Sequence, residues 1–265
     1  MQLIDTHCHL DAKDFDLDRA AVIQQSVATG VDMMVVPAVA PENFNQVAVL
    51  AKENKHCSYA LGIHPMFIDG AKPDDIPRLD TLVSETLQHE NKLVAIGEIG
   101  LDFYVTKENK ATQEFYFREQ LLIAKKYDLP VILHVRSAID DVLKHLRRIK
   151  LRSGIAHAFN GSTHQAEAFI ALGFKLGFGG AMTHTRAKKI RALAQNLPLE
   201  SIVLETDSPD IPPAWLERSE KNSPKELMKI ATVLADIRGI PVSQIIEITR
   251  KNSIQVLPKL ADLFT

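Results

Sequence analysis

Short apolar runs alternate with longer amphipathic segments along the whole chain. The runs are rich in Val, Ile and Leu, which is typical of strands that are buried on both faces. There are eight of them, at residues 2–4, 33–37, 59–63, 93–96, 131–133, 154–156, 174–178 and 202–204. The pattern therefore predicts the eight strands of a buried sheet.

The segments between the runs carry apolar residues at helical spacing. They cover residues 18–28, 43–52, 76–89, 108–127, 137–149, 163–172 and 185–196, and two more follow the last run at 224–238 and 242–257. Uninterrupted strand–helix repetition implies a parallel sheet. In a chain of 265 residues, closure of that sheet into a barrel is the natural solution. We therefore expect an α/β protein, with a single (β/α)8 TIM barrel domain over residues 1–265.

One segment, 207–224, is longer than the other connections, is rich in Pro and contains Trp215. Long connections inside compact domains are usually functional. A surface loop that an apolar residue anchors to the body of the protein explains the same features, and both interpretations stay open.

Composition narrows the class of protein. The chain is 46% hydrophobic and 24% charged, which is ordinary for a globular domain. Its formal charge of −2 excludes a basic protein that coats nucleic acid non-specifically. A nucleic-acid substrate stays possible, because a bound metal supplies its own positive charge. Two cysteines, no signal-peptide pattern and no apolar run of about 18 residues favour a cytoplasmic monomer that does not contact membranes.

Six of the eight runs lead directly into a histidine or an acid. In a barrel of parallel strands, all carboxyl ends meet at one mouth, where active sites lie. The residues that this argument selects are His7 and His9 after the first run, His64 after the third, Glu98 after the fourth, His134 after the fifth, His157 after the sixth and Asp207 after the eighth.

His7 and His9 are two residues apart, so an extended strand would place both rings on one face and Cys8 on the other. Two such imidazoles can share a metal ion. A pair of hydrogen-bonded core histidines gives the same spacing. The ligand types at the other strand ends favour the metal site.

Glu98 lies in the segment IGEIGLD. We expect its glycine neighbours to let a ligand or a second ion approach closely, and its two oxygens to bridge two ions. His134 and His157 would complete a second metal position. Taken alone, Glu98 is equally consistent with a capping or salt-bridged acid, and each histidine with a core residue.

Asp207 is expected to bind metal and to accept a proton from water. Glu205 and Asp5 are expected to support the ligands from behind. The histidines outside the strand ends are interpreted as solvated or structural: His56, His89, His145, His164 and His184.

The segments IDTHCHLD, GIHP, IGEIGLDFY, QEFYFREQLLIAKKYDLPVILHVR, HAFNGS, KLGFGG and LETDSP, in this order, resemble the TatD family of metal-dependent hydrolases. The resemblance implies a (β/α)8 barrel with one or two divalent ions (Mg, Mn or Zn) and hydrolysis of phosphodiesters, as in family members that degrade DNA single strands from the 3′ end. It places His64 near the substrate phosphate and assigns metal binding to His7, His9, Glu98, His134, His157 and Asp207.

The chain departs from the family pattern at positions that contact substrate. Met66 stands where the family often has a second histidine, Lys221 replaces an arginine, and Asn160 replaces a serine. Leu257 replaces a phenylalanine near the end of the pattern. The proposed ligands are intact, so these departures bear on the substrate more than on hydrolysis.

We expect a metal-dependent phosphodiesterase, acting as a deoxyribonuclease on DNA ends or single strands. Catalysis is assigned to Asp207, Glu98 and His64, and phosphate binding to Arg136 as well as His64. Stacking on a base, as in single-strand binders, is one interpretation of the aromatic candidates, and core or rim packing is the other. The candidates are Phe67, Tyr104 and Trp215.

Two alternatives differ in their predictions. An ester or amide hydrolase, such as an aminoacyl-tRNA deacylase, would use the same metals to polarise a carbonyl group. The near-neutral charge and the altered phosphate-side positions favour it modestly. A barrel that binds a partner without catalysis predicts eroded ligands, whereas every expected ligand is present.

Overall fold

The sheet contains eight parallel strands, paired in chain order. The computed structural model describes residues 2–104, 109–217 and 219–264. The strands are β1 (Leu3–Asp5), β2 (Val31–Pro37), β3 (Cys57–Leu61), β4 (Leu93–Asp102), β5 (Val131–Arg136), β6 (Gly154–Ala156), β7 (Phe174–Phe178) and β8 (Ile202–Leu204). Each predicted strand is present, and the last three have the predicted bounds.

Helices connect consecutive strands and cover the outside of the sheet. They are α1 (Arg19–Ala28), α2 (Phe44–Glu53), α3 (Asp75–His89), α4 (Lys110–Lys126), α5 (Ile139–Ile149), α6 (Thr163–Ala171), α7 (Lys188–Asn196), α8 (Leu227–Arg238) and α9 (Val242–Val256). The predicted (β/α)8 barrel is therefore confirmed. Residue 108, where the predicted fourth helix begins, lies outside the described residues. In the described ranges, no helix has the length and apolar character needed to cross a membrane.

The strands β4 and β5 are longer than the apolar runs that predicted them. Their parallel ladder continues through the pairs Gly100–His134 and Asp102–Arg136. Glu98 and His134 consequently lie inside strands, not beyond them. The run-based bounds stopped too early because polar side chains interrupt the apolar pattern while the backbone pairing goes on.

The barrel closes between β8 and β1 through hydrogen bonds beyond the ends of both strands. The amide of Thr6 donates to the carbonyl of Leu204 (3.1 Å), and the amide of Asp207 donates to the carbonyl of His7 (2.8 Å). The strand β1 ends at Asp5, so His7 and His9 follow it, as the predicted run of residues 2–4 implies. The chain still bonds to β2 there, because the amide of Cys8 donates to the carbonyl of Val35 (3.1 Å).

Inward-facing strand residues change from apolar to polar toward the mouth. Ile132 belongs to the cluster inside the barrel, and two residues later on the same face comes His134. Val203 belongs to the same cluster and is followed at the same spacing by Glu205 and Asp207. The floor of the barrel and its polar mouth are thus built by one two-residue alternation.

The other end of the barrel is closed by the C-terminal segment. Val256, Leu257 and Leu260 are buried in the same inner cluster. Ser153, immediately before β6, donates its hydroxyl to the carbonyl of Val256 (3.1 Å). The segment therefore acts as an apolar plug at the amino ends of the strands.

Replacing Leu260 by Ala should destabilise the fold by about 2–5 kcal/mol, the usual cost of truncating a fully buried leucine. Urea denaturation measures the free energy of unfolding. The control is Leu122→Ala on α4, where the side chain is 45% exposed and the expected change is within roughly 0.5 kcal/mol. Equal losses in the two variants would show that the C-terminal segment does not plug the barrel.

Candidate metal centre

The carboxyl ends of six strands bring all of the predicted site residues into one volume. His7 and His9 follow β1, His64 follows β3, Glu98 lies in β4, His134 in β5, His157 follows β6 and Asp207 follows β8. Most of these side chains are buried. Those of His9, His134 and Asp207 are 17%, 17% and 12% exposed, so substrate can approach from their side.

One oxygen of Glu98, Oε2, faces His7 and His9. It lies 3.2 Å from His7 Nε2 and 3.5 Å from His9 Nε2. Asp207 Oδ1 lies 3.4 Å and 3.7 Å from the same two nitrogens, which are 3.2 Å from each other. Ligands about 2.1 Å from a four-coordinate ion lie roughly 3.4 Å apart. The spacing and chemistry of these four side chains therefore fit a divalent ion.

The other oxygen of Glu98, Oε1, faces a second group of imidazoles. It lies 3.1 Å from His134 Nδ1, 3.0 Å from His157 Nε2 and 3.3 Å from His64 Nε2. The rings of His157 and His7 stack at 4.0 Å and so connect the two groups. The two oxygens of this carboxylate therefore face two different clusters of donors.

Hydrogen bonds separate the roles of His64 and His134. His64 Nδ1 accepts from the amide of Met66 (3.1 Å), so its proton is on Nε2 and points toward Glu98. His134 Nε2 lies 3.0 Å from Asp102 Oδ2 and must donate to it, because a carboxylate only accepts. Nδ1 of His134 faces Glu98 Oε1 at 3.1 Å and is protonated as well, so an ion would have to replace this proton for His134 to become a ligand.

Buried acids support the ligands from behind. Glu205 Oε1 accepts from the amide of Ala158 (2.5 Å) and lies 3.8 Å from His157 Nδ1. Asp5 accepts from the hydroxyl of Thr206 (2.6 Å) and from the amide of His7 (3.3 Å). Burial raises the pKa of Glu205 to about 8 and that of Asp5 to about 7. These contacts fit the supporting roles expected for both acids.

Neighbouring charges in the site offset the effect of burial on the pKa values of several of its residues. Burial alone would raise the pKa of Glu98, yet the charges of His64, His157 and His7 hold it well below its usual range. Burial opposes charged imidazoles, but Glu98 outweighs it and raises the pKa of His157 to about 10 and, together with Asp207, that of His9 to about 9. Burial and the neighbouring His157 lower the pKa of His7 to about 3.

Similarity to known proteins covers nearly the whole chain. The family model described as TatD related DNase matches residues 4–258. A metal-dependent hydrolase of Escherichia coli strain K12, YjjV, is 40% identical over 253 residues, which cover 95% of this chain and 96% of the relative. The chain belongs to the TatD family.

A second relative of the TatD chain is the human deoxyribonuclease TATDN3, 32% identical over 271 residues, which cover 98% of this chain and 96% of that protein. The crystal structure of Escherichia coli YjjV superposes with a TM-score of 0.91 at 37% identity and covers 97% of this chain and 98% of that one. The predicted family and barrel are confirmed, and the chain is a metal-dependent hydrolase. The role of each site residue stays a prediction.

Sequence reasoning missed Asp102 and its partner Gln113. Asp102 bonds His134. Gln113 on α4 accepts from the amide of Asp102 and donates to its carbonyl, both at 2.8 Å. The sequence carried a signal for Asp102, because Glu98, Gly100 and Asp102 are spaced two residues apart along β4 and would therefore share one face of the strand. The apolar run that defined this strand ended too early to include it.

The glycines around Glu98 let β4 lie close to β5. A Cβ on Gly100, whose φ is +156°, would lie 1.9 Å from the carbonyl oxygen of His134. A Cβ on Gly97 would lie 2.8 Å from the Cβ of Ile132. Both positions therefore need a residue without a side chain.

The segment 207–224 is anchored to the body of this TatD chain. Trp215 Nε1 donates to Glu226 Oε2 (2.7 Å). The buried side chain of Asn222 donates to the carbonyls of Thr206 (2.9 Å) and Asp210 (2.6 Å). These contacts support the anchored-loop interpretation and give Trp215 a structural partner.

Replacing Asp102 by Asn should weaken metal binding about 10- to 100-fold, the usual effect of losing a carboxylate behind a ligating histidine. The amide cannot hold His134 with the same charge. Titration calorimetry with Mn²⁺ measures the affinity. The control, Asp80→Asn, removes an acid that pairs with Lys126 at the surface, away from the site. If both variants bind like the parent protein, Asp102 does not position a ligand.

Metal binding should release protons near neutral pH. With pKa values raised to about 9 and about 10, His9 and His157 carry protons before the ion binds, and ligating imidazoles must be neutral. Affinity should therefore rise as the pH is raised through the neutral range. Calorimetry in buffers of different ionisation enthalpy counts the protons. Binding heats that do not depend on the buffer would contradict this expectation.

Proposed function

We propose that this TatD chain hydrolyses phosphodiester bonds in DNA, at ends or in single strands, with two divalent ions that the donor groups around Glu98 would hold. The observation that carries the proposal is the division of Glu98 between two donor groups, Oε2 with His7 and His9, and Oε1 with His134 and His157. Two ions on a shared carboxylate are characteristic of phosphodiester-cleaving centres. The deoxyribonuclease TATDN3, 32% identical, supports the choice of DNA.

The donor set bears on the identity of the metal. Imidazoles suit Zn, and carboxylates suit Mg and Mn, so the mixed donor set makes Zn²⁺, Mn²⁺ and Mg²⁺ the ions to compare. Bound divalent ions supply Lewis-acid stabilisation of the negative charge that develops on a phosphoryl group under attack by water.

We assign to Asp207 the acceptance of the proton from the attacking water. Its side chain is at the exposed side of the site, and burial raises its pKa, which strengthens it as a base. The amide of Asp207 is fixed to the carbonyl of His7 at 2.8 Å. The carboxylate is therefore held in place from its own backbone.

We assign to His64 a hydrogen bond to the substrate phosphate. The bond from Met66 leaves the proton of His64 on Nε2, which faces Glu98 at 3.3 Å. An N–H directed into the site can donate to a phosphoryl oxygen but cannot ligate an ion. His64 is therefore assigned to the substrate phosphate and not to a metal ion.

Replacing Asp207 by Asn should lower the rate of single-stranded DNA cleavage about 10²- to 10⁴-fold, the range for loss of a general base. A labelled oligonucleotide with Mn²⁺ or Mg²⁺ gives the rate. The matched control is Asp210→Asn, an exposed acid in the same segment, and it should cleave at the parental rate. If the Asp207→Asn variant cleaves DNA at the parental rate, Asp207 is not the general base.

The substrate class is tested with the parent protein. DNA, carboxylic esters and aminoacyl-tRNA are compared at the same metal concentration. The proposal predicts that DNA is cleaved with the highest kcat/KM. If the protein cleaves esters or aminoacyl-tRNA and leaves DNA intact, it is an ester hydrolase and not a phosphodiesterase.

A further inference from the structure

Exposed aromatic rings lie beside the metal centre. Phe67 comes three residues after His64 and is 49% exposed. Its ring packs edge-on against that of His64, with 5.9 Å between the ring centroids. Tyr104 follows β4 and is 67% exposed. Exposed aromatic rings at the rim of a site offer flat surfaces on which bases can stack.

Arg136 extends the inner face of β5 toward solvent. It is the last residue of the strand and lies two residues after His134, so both side chains leave the same face roughly 7 Å apart. Arg136 is exposed. In the described part of the chain, no hydrogen bond or ion pair is recorded for its guanidinium, whose five donors suit a phosphate group.

Tyr104 holds this guanidinium in position. The guanidinium carbon lies 3.8 Å from the centroid of the Tyr104 ring. The amide of Tyr104 donates to Asp102 Oδ1 (2.9 Å), while the other oxygen of Asp102 lies 3.0 Å from His134. One carboxylate thus fixes both a proposed metal ligand and the ring under Arg136.

The backbone beneath this pair is fixed as well. Asp102 and Arg136 are partners in the β4–β5 ladder, and the amide of Phe103 donates to the carbonyl of Arg136 (2.9 Å). A stacked arginine on paired strands loses little conformational entropy when it binds an anion.

We propose that Arg136 and Tyr104 form a subsite for the nucleotide next to the scissile phosphodiester. Arg136 binds the phosphate of that nucleotide, and the ring of Tyr104 positions the guanidinium and stacks with the base. The subsite rests on the proposed phosphodiesterase function and deepens it, because it makes the enzyme prefer oligonucleotides to simple diesters. Trp215 is not part of the proposed subsite, because its indole N–H donates to Glu226.

The test compares kcat/KM for a single-stranded oligothymidylate and for bis(p-nitrophenyl) phosphate, which has no flanking nucleotide. The ratio of the two values should fall about 10- to 100-fold in Arg136→Ala, as expected for a lost hydrogen bond to a charged group. Tyr104→Ala should lower the ratio roughly tenfold, and Tyr104→Phe should restore it. Arg136→Lys keeps the charge but loses the planar stack, so its ratio should lie between those of the parent protein and Arg136→Ala.

The matched control is Arg118→Ala. Arg118 also lies over an exposed ring, that of Phe115 on α4, and should keep the parental ratio. Arg136→Ala should also reduce the dependence of binding on salt, measured by fluorescence anisotropy of the labelled oligonucleotide, by about one released counterion. A parental ratio and salt slope in Arg136→Ala would overturn the subsite alone. A parent protein inactive on both diesters would overturn the phosphodiesterase, and the subsite with it.

Discussion

The carboxylate of Glu98 is the interaction on which the mouth of this barrel depends. It is 2% exposed, and a buried carboxylate without partners costs several kcal/mol. Imidazoles contact both oxygens, His7 on one side and His134 and His157 on the other. Since Glu98 stays ionised, its neighbours must supply donors or an ion, and this requirement explains why imidazoles occupy the strand ends that the barrel brings together.

The rest of the architecture holds that arrangement still. Gly100 lets β4 approach the backbone of His134, because a Cβ there would lie 1.9 Å from the carbonyl oxygen of His134. Asp102 bonds Nε2 of His134 and so orients that ring, and Glu205 lies 3.8 Å behind His157. Close strand packing, buried acids and the apolar floor make the ligands rigid before substrate binds, and such preorganisation is what electrostatic catalysis requires.

Much of this was predictable from the sequence because strand-end chemistry is local. His157 comes directly after a short apolar run, and Asp207 lies on the same inner face as an apolar strand residue, so run ends and alternation were enough to place them. Asp102 was not found, since pairing extended β4 beyond its apolar run. The role of His64 depends on a proton position that only the bond from Met66 reveals, and the partner of Trp215 is eleven residues away along the chain.

We expect the two oxygens of Glu98 to serve two different ions. Crystals grown with Mn²⁺ and measured for anomalous scattering distinguish this arrangement from a single ion. Two peaks are expected, one in contact with Oε2 of Glu98 together with His7 and His9, and the other in contact with Oε1 together with His134 and His157. A single peak, or peaks that leave Glu98 without a metal contact, would show that Glu98 is not shared between two ions.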